Sequence, residues 1–168
     1  MEILLIYLFM GSLAAYALYL TFRGRNAGVV VDPTLGFLTV GESGFAELLE
    51  QDRANLGPLF SKTESGSGYQ IPQCDVLFVY ASIQPDGSLG LGSDVTLRHI
   101  AERAGAAIAV LASNNTSENI SAAAKLPGPA RANLVWTFDR KGDRFSIFFK
   151  DLFTQMKRGK SMPRAWVA

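Results

Sequence analysis

The residues from Ile3 to Phe22, ILLIYLFMGSLAAYALYLTF, carry no charge and no proline. That run constrains the chain more than any other feature. A helix of about 20 residues rises about 30 Å, the thickness of a bilayer's hydrocarbon core. Lipid offers the backbone no water to bond, whereas a helix closes its own hydrogen bonds. The run therefore predicts one membrane-spanning helix. A cleaved signal peptide needs a basic start, a shorter apolar core and a small-residue cleavage site. Here Glu2 is the one charged side chain ahead of the run, and Arg23-Gly24-Arg25 follows it. A retained anchor is the expectation. Basic flanks stay cytoplasmic, so Arg23 and Arg25 place the amino terminus outside and the rest of the chain inside. Gly11 and Ala15 are small residues four apart, a face that lets another helix approach closely. Small residues are also common in such helices without any packing role.

Residues 1–25 then form the anchor and its flanks, and 26–168 form one domain of ordinary size. The chain carries 16 basic and 15 acidic side chains, a net charge of +1. A broad nucleic-acid surface would need a marked basic excess, so no nucleic-acid partner is expected. Cys74 is the one cysteine and His99 the one histidine. No intrachain disulfide can form, and this pair cannot supply a conventional structural zinc site. No acidic cluster has ligand spacing, and neither metal nor cofactor is expected.

The soluble part alternates strand and helix signals. Gly36–Val40, Asp75–Ala81, Ala106–Ala112 and Asn133–Phe138 are short apolar runs suited to buried strands. Ser43 is placed to cap a helix from Gly44 with an apolar stripe at Phe45, Leu48, Leu49 and Leu56. Residues Ser61–Gly68 (SKTESGSG) read as a polar, mobile loop. Pro85, Asp86 and Gly87 mark a turn, and Asp94 is placed to cap a helix through Ala104. Ser117–Lys125 reads as a short helix stopped by Pro127-Gly128-Pro129. Asp143–Arg158 repeats Phe145, Phe149, Leu152 and Met156 at helical spacing, and Ser161 with Pro163 can open a last helix. Strands separated by helices predict an α/β domain, a mainly parallel sheet covered on both faces.

Three stretches resemble the CHAT family, a caspase-like group of domains related to clan CD cysteine peptidases. Asp75-Val-Leu-Phe-Val-Tyr-Ala-Ser82 is similar to the family's D-V-L-H-F-A-G-H-G strand and histidine turn. Val110-Leu-Ala-Ser-Asn-Asn-Thr116 looks like V-L-S-A-C-N-T-G, which carries the family's nucleophile. Leu134-Val-Trp-Thr-Phe-Asp139, the Phe-rich helix and Gly159-Lys-Ser-Met-Pro-Arg-Ala165 are similar to the family's S-L-W-P-V-D, long helix and G-K-S-P-x-E-A-L ending. The resemblance spans roughly Gly41–Ala168. It implies a three-layer caspase-like fold behind a bacterial inner-membrane anchor.

The resemblance also locates what is missing. The nucleophile position holds Asn114, and the base position falls at Ser82 or Ile83. An asparagine amide cannot replace a thiolate, and no imidazole stands near the turn. No catalytic residue is therefore assigned. Cys74 sits at the wrong end of its strand for a relocated dyad, and His99 reads as a helix residue. The expectation is a non-catalytic accessory subunit or scaffold of a larger membrane complex, with other membrane-protein subunits and the bilayer as partners. A respiratory or photosynthetic complex is one host such a subunit fits. Trp166 is a candidate contact, with packing on the domain's own core as the bland alternative. The competing expectations are a membrane-anchored hydrolase, acting in the same cleft through Ser82 or a displaced Cys74, and a ligand sensor holding a small molecule in the cleft around Ser82 and Asn114. Asn114, Asn115 and Asn119 begin glycosylation sequons, and Arg140 and Lys141 read as a solvated loop beside Asp139.

Overall fold

Alternation within the apolar runs decides the layers. In the strand Val76–Tyr80, Val76, Phe78 and Tyr80 point to one face and Leu77 and Val79 to the other, and all five are buried. A strand buried on both sides must be covered on both sides. The computed structural model describes residues 32–41, 43–90, 95–128 and 131–167. Its strands are β1 (Thr34–Thr39), β2 (Lys62–Ser67), β3 (Val76–Tyr80), β4 (Ile108–Leu111) and β5 (Asn133–Trp136). They form one sheet in the order β2-β1-β3-β4-β5, every pairing parallel. This is a doubly wound order with its switch point between β1 and β3. The helices are α1 (Ala46–Leu56), α2 (Leu97–Ala104), α3 (Ser117–Lys125), α4 (Gly142–Lys157) and α5 (Met162–Trp166).

Two cores result. Leu97, Ile100 and Ala104 of α2 and Ile120 and Ala123 of α3 pack on Leu38, Leu77, Val79 and Leu111. On the other face, Leu49 and Leu56 of α1 and Phe145, Phe149, Leu152 and Phe153 of α4 pack on Phe37, Phe78 and Val110. Phe78 stands edge-on to Phe149 at 5.1 Å and to Phe145 at 6.1 Å. Edge-to-face rings at such separations gain about 0.5–1.5 kcal/mol beyond area burial.

The domain is thus three layers around a parallel sheet, as the alternating pattern predicts. Three local expectations need correction. Ser61–Gly68 is not a loop: Lys62–Ser67 pairs with all six residues of β1. An edge strand has one neighbour and one exposed side, so its side chains need not be apolar; Lys62 and Glu64 pair across its surface. The first α-helix starts at Ala46, not Gly44, because Ser43–Phe45 is a 3₁₀ turn with Phe45 in the cap position. Thr96, not Asp94, caps α2, its hydroxyl accepting from the amide of His99; Asp94 lies outside the described residues. Among the described residues no helix is long and apolar enough to cross a membrane. The run Ile3–Phe22, with Gly11 and Ala15, lies outside them, as do Arg23 and Arg25.

One connection departs from the α/β pattern. β2 returns to β3 through Gly68–Asp75 without a helix. Parallel strands usually need a crossover of a dozen or more residues. This one turns tightly, the Gln70 amide bonding to the Ser67 carbonyl and the Ile71 amide to the Tyr69 carbonyl, and then packs on the sheet through Ile71 and Cys74, which enter the α2/α3 core. Two glycines make room beneath it. A Cβ at Gly36 would collide with Cys74 Sγ, and one at Gly66 with the carbonyl oxygen of Gln70.

Candidate interaction site

Open parallel sheets gather their functional groups at the carboxyl ends of the strands. Here β3, β4 and β5 end in the loops beginning Ala81-Ser82-Ile83, Ala112-Ser113-Asn114-Asn115 and Thr137-Phe138-Asp139-Arg140. The cleft positions Ile83 and Asn114 both lie at these strand ends, each held by its own asparagine hydrogen bonds. The Asn115 side chain accepts from the Ile83 amide at 3.1 Å and donates to the Ser113 carbonyl at 2.8 Å. Asn119 donates to the Ile83 carbonyl at 2.8 Å. Asn114 Oδ1 accepts from the Arg140 amide at 2.5 Å, and the Ser113 hydroxyl donates to the Ala81 carbonyl. These bonds stitch three loops together. Asn114 thus braces a loop, and Ser82 is exposed beside the network. Glycosylation at Asn119 would break its bond to Ile83.

Cys74 and His99 have separate environments. Cys74 is buried at the amino end of β3, its amide bonded to the last residue of α2, Ala104, at 3.0 Å. Burial, reinforced by the Asp75 and Glu64 carboxylates, pushes its thiol up to about 12 from an ordinary 9.0. A thiol held protonated is a poor nucleophile. His99 lies in the first turn of α2, about 7 Å further along the helix axis, with Nδ1 3.1 Å from the Thr96 hydroxyl. No group of three or more metal-binding side chains occurs among the described residues.

A buried charged cluster lies beneath the loops. The Asp52 carboxylate accepts from the Tyr80 hydroxyl at 2.6 Å and from the Arg140 guanidinium at 2.6 Å. The Arg140 and Asp52 side chains are 2% and 0% exposed. Arg140 also lies over the Phe145 ring, 4.8 Å from its centroid. Burial raises the Asp52 carboxyl, while the Tyr80 hydrogen bond and the Arg140 charge pull it back; burial and the nearby Asp52 charge hold the Tyr80 phenol well above its ordinary value. Arg140 is therefore not part of a solvated loop. Lys141 is, paired with Asp139 at 3.1 Å on the surface. One signal could have revealed the cluster: Asp52 falls three and four residues from Leu49, Leu48 and Leu56, on the apolar stripe, where a carboxylate demands a partner.

Open surface grooves run along β5. Two grooves of about 460 and 450 Å³ flank this strand. Leu134, Trp136 and Met162 line the first, Phe145, Phe148 and Phe149 line the second, and Phe138 and Trp166 line both. Phe138 is 56%, Phe148 38% and Trp166 43% exposed. Trp166 stands edge-on to Phe148 at 4.9 Å, so it packs on its own domain and faces solvent at once. β5 is also the last strand of the sheet. The Asn133 amide donates inward to Ala107, so alternation turns the N–H and C=O groups of Leu134 and Trp136 outward. An edge that no strand pairs among the described residues and three exposed aromatics thus occupy one surface. Comparison with protein-family models, curated proteins and solved structures finds no match to this chain.

Proposed function

We propose that this chain is a non-catalytic, membrane-anchored accessory subunit that holds a protein partner at the β5 edge. The observation carrying the reading is the coincidence of exposed Phe138, Phe148 and Trp166 with the outward backbone groups of Leu134 and Trp136. Aromatic side chains are the usual anchors of protein interfaces, and a free strand edge accepts an added strand by main-chain hydrogen bonds. The apolar run Ile3–Phe22 supports anchoring, and Arg23 and Arg25 support a cytoplasmic head at a bacterial inner membrane. The resemblance to CHAT domains supports a degenerate caspase-like origin, in which Asn114 at the nucleophile position and Ser82 or Ile83 at the base position leave no peptidase chemistry. The partner is then another subunit of a membrane complex, of the respiratory or photosynthetic kind among others.

The test is co-purification. The tagged full chain is extracted in mild detergent and its companions are identified by mass spectrometry. Wild type should bring down a defined set of membrane subunits. The double substitution Phe148→Ala and Trp166→Ala should cut that recovery at least tenfold, because two anchors worth about 1–2 kcal/mol each are lost. Circular dichroism checks that the variant remains folded. Recovery of the wild-type chain alone, or undiminished recovery with a folded variant, contradicts the proposal.

A further inference from the structure

In a parallel sheet each covering helix runs back towards the amino ends of the strands. The C-termini of α1 to α4 therefore share one end of the domain with the strand beginnings. Six basic side chains collect there. Arg103 lies in the last turn of α2, Lys125 and Lys157 end α3 and α4, Arg158 and Lys160 follow α4, and Arg131 precedes β5. All six are exposed, and none makes an ion pair among the described residues. Arg53 and Lys62 lie at the same end but are paired with Glu50 and Glu64. Of the acids there, Asp75 is engaged by the Thr34 amide and hydroxyl at 2.8 and 2.9 Å; Asp32 and Glu102 are exposed. Helix dipoles favour cations at helix C-termini, which accounts for Arg103, Lys125 and Lys157. Arg131 and Lys160 lie outside the helices, and the dipole gives them no reason to be there.

The chain joins the domain at this same end. The Asp32 carbonyl accepts from the Ser61 hydroxyl at 3.3 Å. The neighbouring Phe60 stands edge-on to Phe153 at 5.3 Å, and Lys157 is one helical turn beyond Phe153. The described domain thus begins, at Asp32, at its basic end, with Arg23 and Arg25 upstream in sequence. The cytoplasmic leaflet is anionic and attracts basic segments held within a Debye length of it.

We infer that the strand-amino end of this domain lies against anionic lipid headgroups, with Arg103, Lys125, Arg131, Lys157, Arg158 and Lys160 as its contact residues. The inference rests on the anchored reading and adds an orientation to it. The membrane surface meets one end of the sheet, and the β5 edge stays free at the side for a partner.

The full chain is reconstituted into vesicles of phosphatidylcholine alone, or of phosphatidylcholine with phosphatidylglycerol. Lysines are acetylated with a water-soluble reagent and quantified one by one by mass spectrometry. At low salt, Lys125, Lys157 and Lys160 should label about threefold or more slowly on the anionic vesicles. Lys141, at the opposite end, should label equally on both. About 1 M salt, with a Debye length near 3 Å, should abolish the difference. Reversing two charges, Lys157→Glu with Lys160→Glu, should return Lys125 to its rate on neutral vesicles. Equal rates on both vesicles, equal slowing of Lys141, or the same slowing by inorganic phosphate without anionic lipid would overturn the inference. Flotation separates the two ideas. A chain that fails to float with neutral vesicles overturns the anchored reading, whereas a floating chain with unprotected lysines overturns the orientation alone.

Discussion

Replacing Asp52 with alanine is expected to cost the domain about 3–5 kcal/mol, the range for removing one partner of a buried ion pair. The cost comes chiefly from what is left behind. Arg140 would keep its charge in a site where its side chain is 2% exposed, with the Phe145 ring as its remaining neighbour of opposite character. The Tyr80 hydroxyl would lose its acceptor in the same step. Thermal unfolding should move down by on the order of 10 °C or more. Removing both charges is a different experiment. Asp52→Leu with Arg140→Met fills the space with apolar atoms and should recover most of the loss. The consequence reaches the surface, because the Arg140 amide donates to Asn114 and the same loop carries Phe138. A loosened loop shifts one wall of both grooves, so Asp52→Ala should also weaken partner recovery. A loss below about 1 kcal/mol in urea denaturation would mean that the cluster contributes little.

The second large effect is alkaline. The folded Cys74 thiol holds its proton up to about 12, whereas the unfolded chain releases it near 9.0. Between those values the native state binds more protons, so stability falls as pH rises. A rise from 9.0 to about 12 corresponds to about 4 kcal/mol by the top of that window. The buried Tyr80 phenol, also raised, acts in the same direction. Urea midpoints measured from pH 8 to pH 11 should decline steeply in wild type and less steeply in Cys74→Ala. In the same samples a thiol reagent should react with Cys74 only as the chain unfolds. Rapid labelling of the folded protein at neutral pH would show a reactive thiol and reopen the hydrolase reading.

The parts of this fold that the sequence announces are those whose chemistry is local or periodic. The β3 run DVLFVYA, the Phe repeat of α4 and the bounds Ser117–Lys125 of α3 need little tertiary information. β2 was hidden because SKTESGSG has no apolar face. Its strand character comes from the six backbone pairings that β1 offers, which no property of those eight residues records. The cluster of Asp52, Tyr80 and Arg140 joins residues 28 and 88 apart in sequence. Asp52 on an apolar stripe was the visible half of that signal. At the strand ends Ile83 bonds to Asn115 and Asn119, and Asn114 bonds to Arg140, through amides that spacing alone does not assign. The grooves along β5 depend on where the sheet stops and on how α5 folds back, both of which are long-range outcomes.

In the assembled state a partner is expected to cover the β5 edge. Hydrogen exchange at the Leu134 and Trp136 amides measures this directly, comparing the isolated chain in detergent with the chain in its extracted complex. The outward amides of a free edge exchange quickly, and main-chain bonds to an added strand slow them. Protection of both amides by an order of magnitude or more in the complex, with the buried β3 amides unchanged, is the expected result. Equal exchange in the two preparations would leave the edge bare and rule out strand addition at β5.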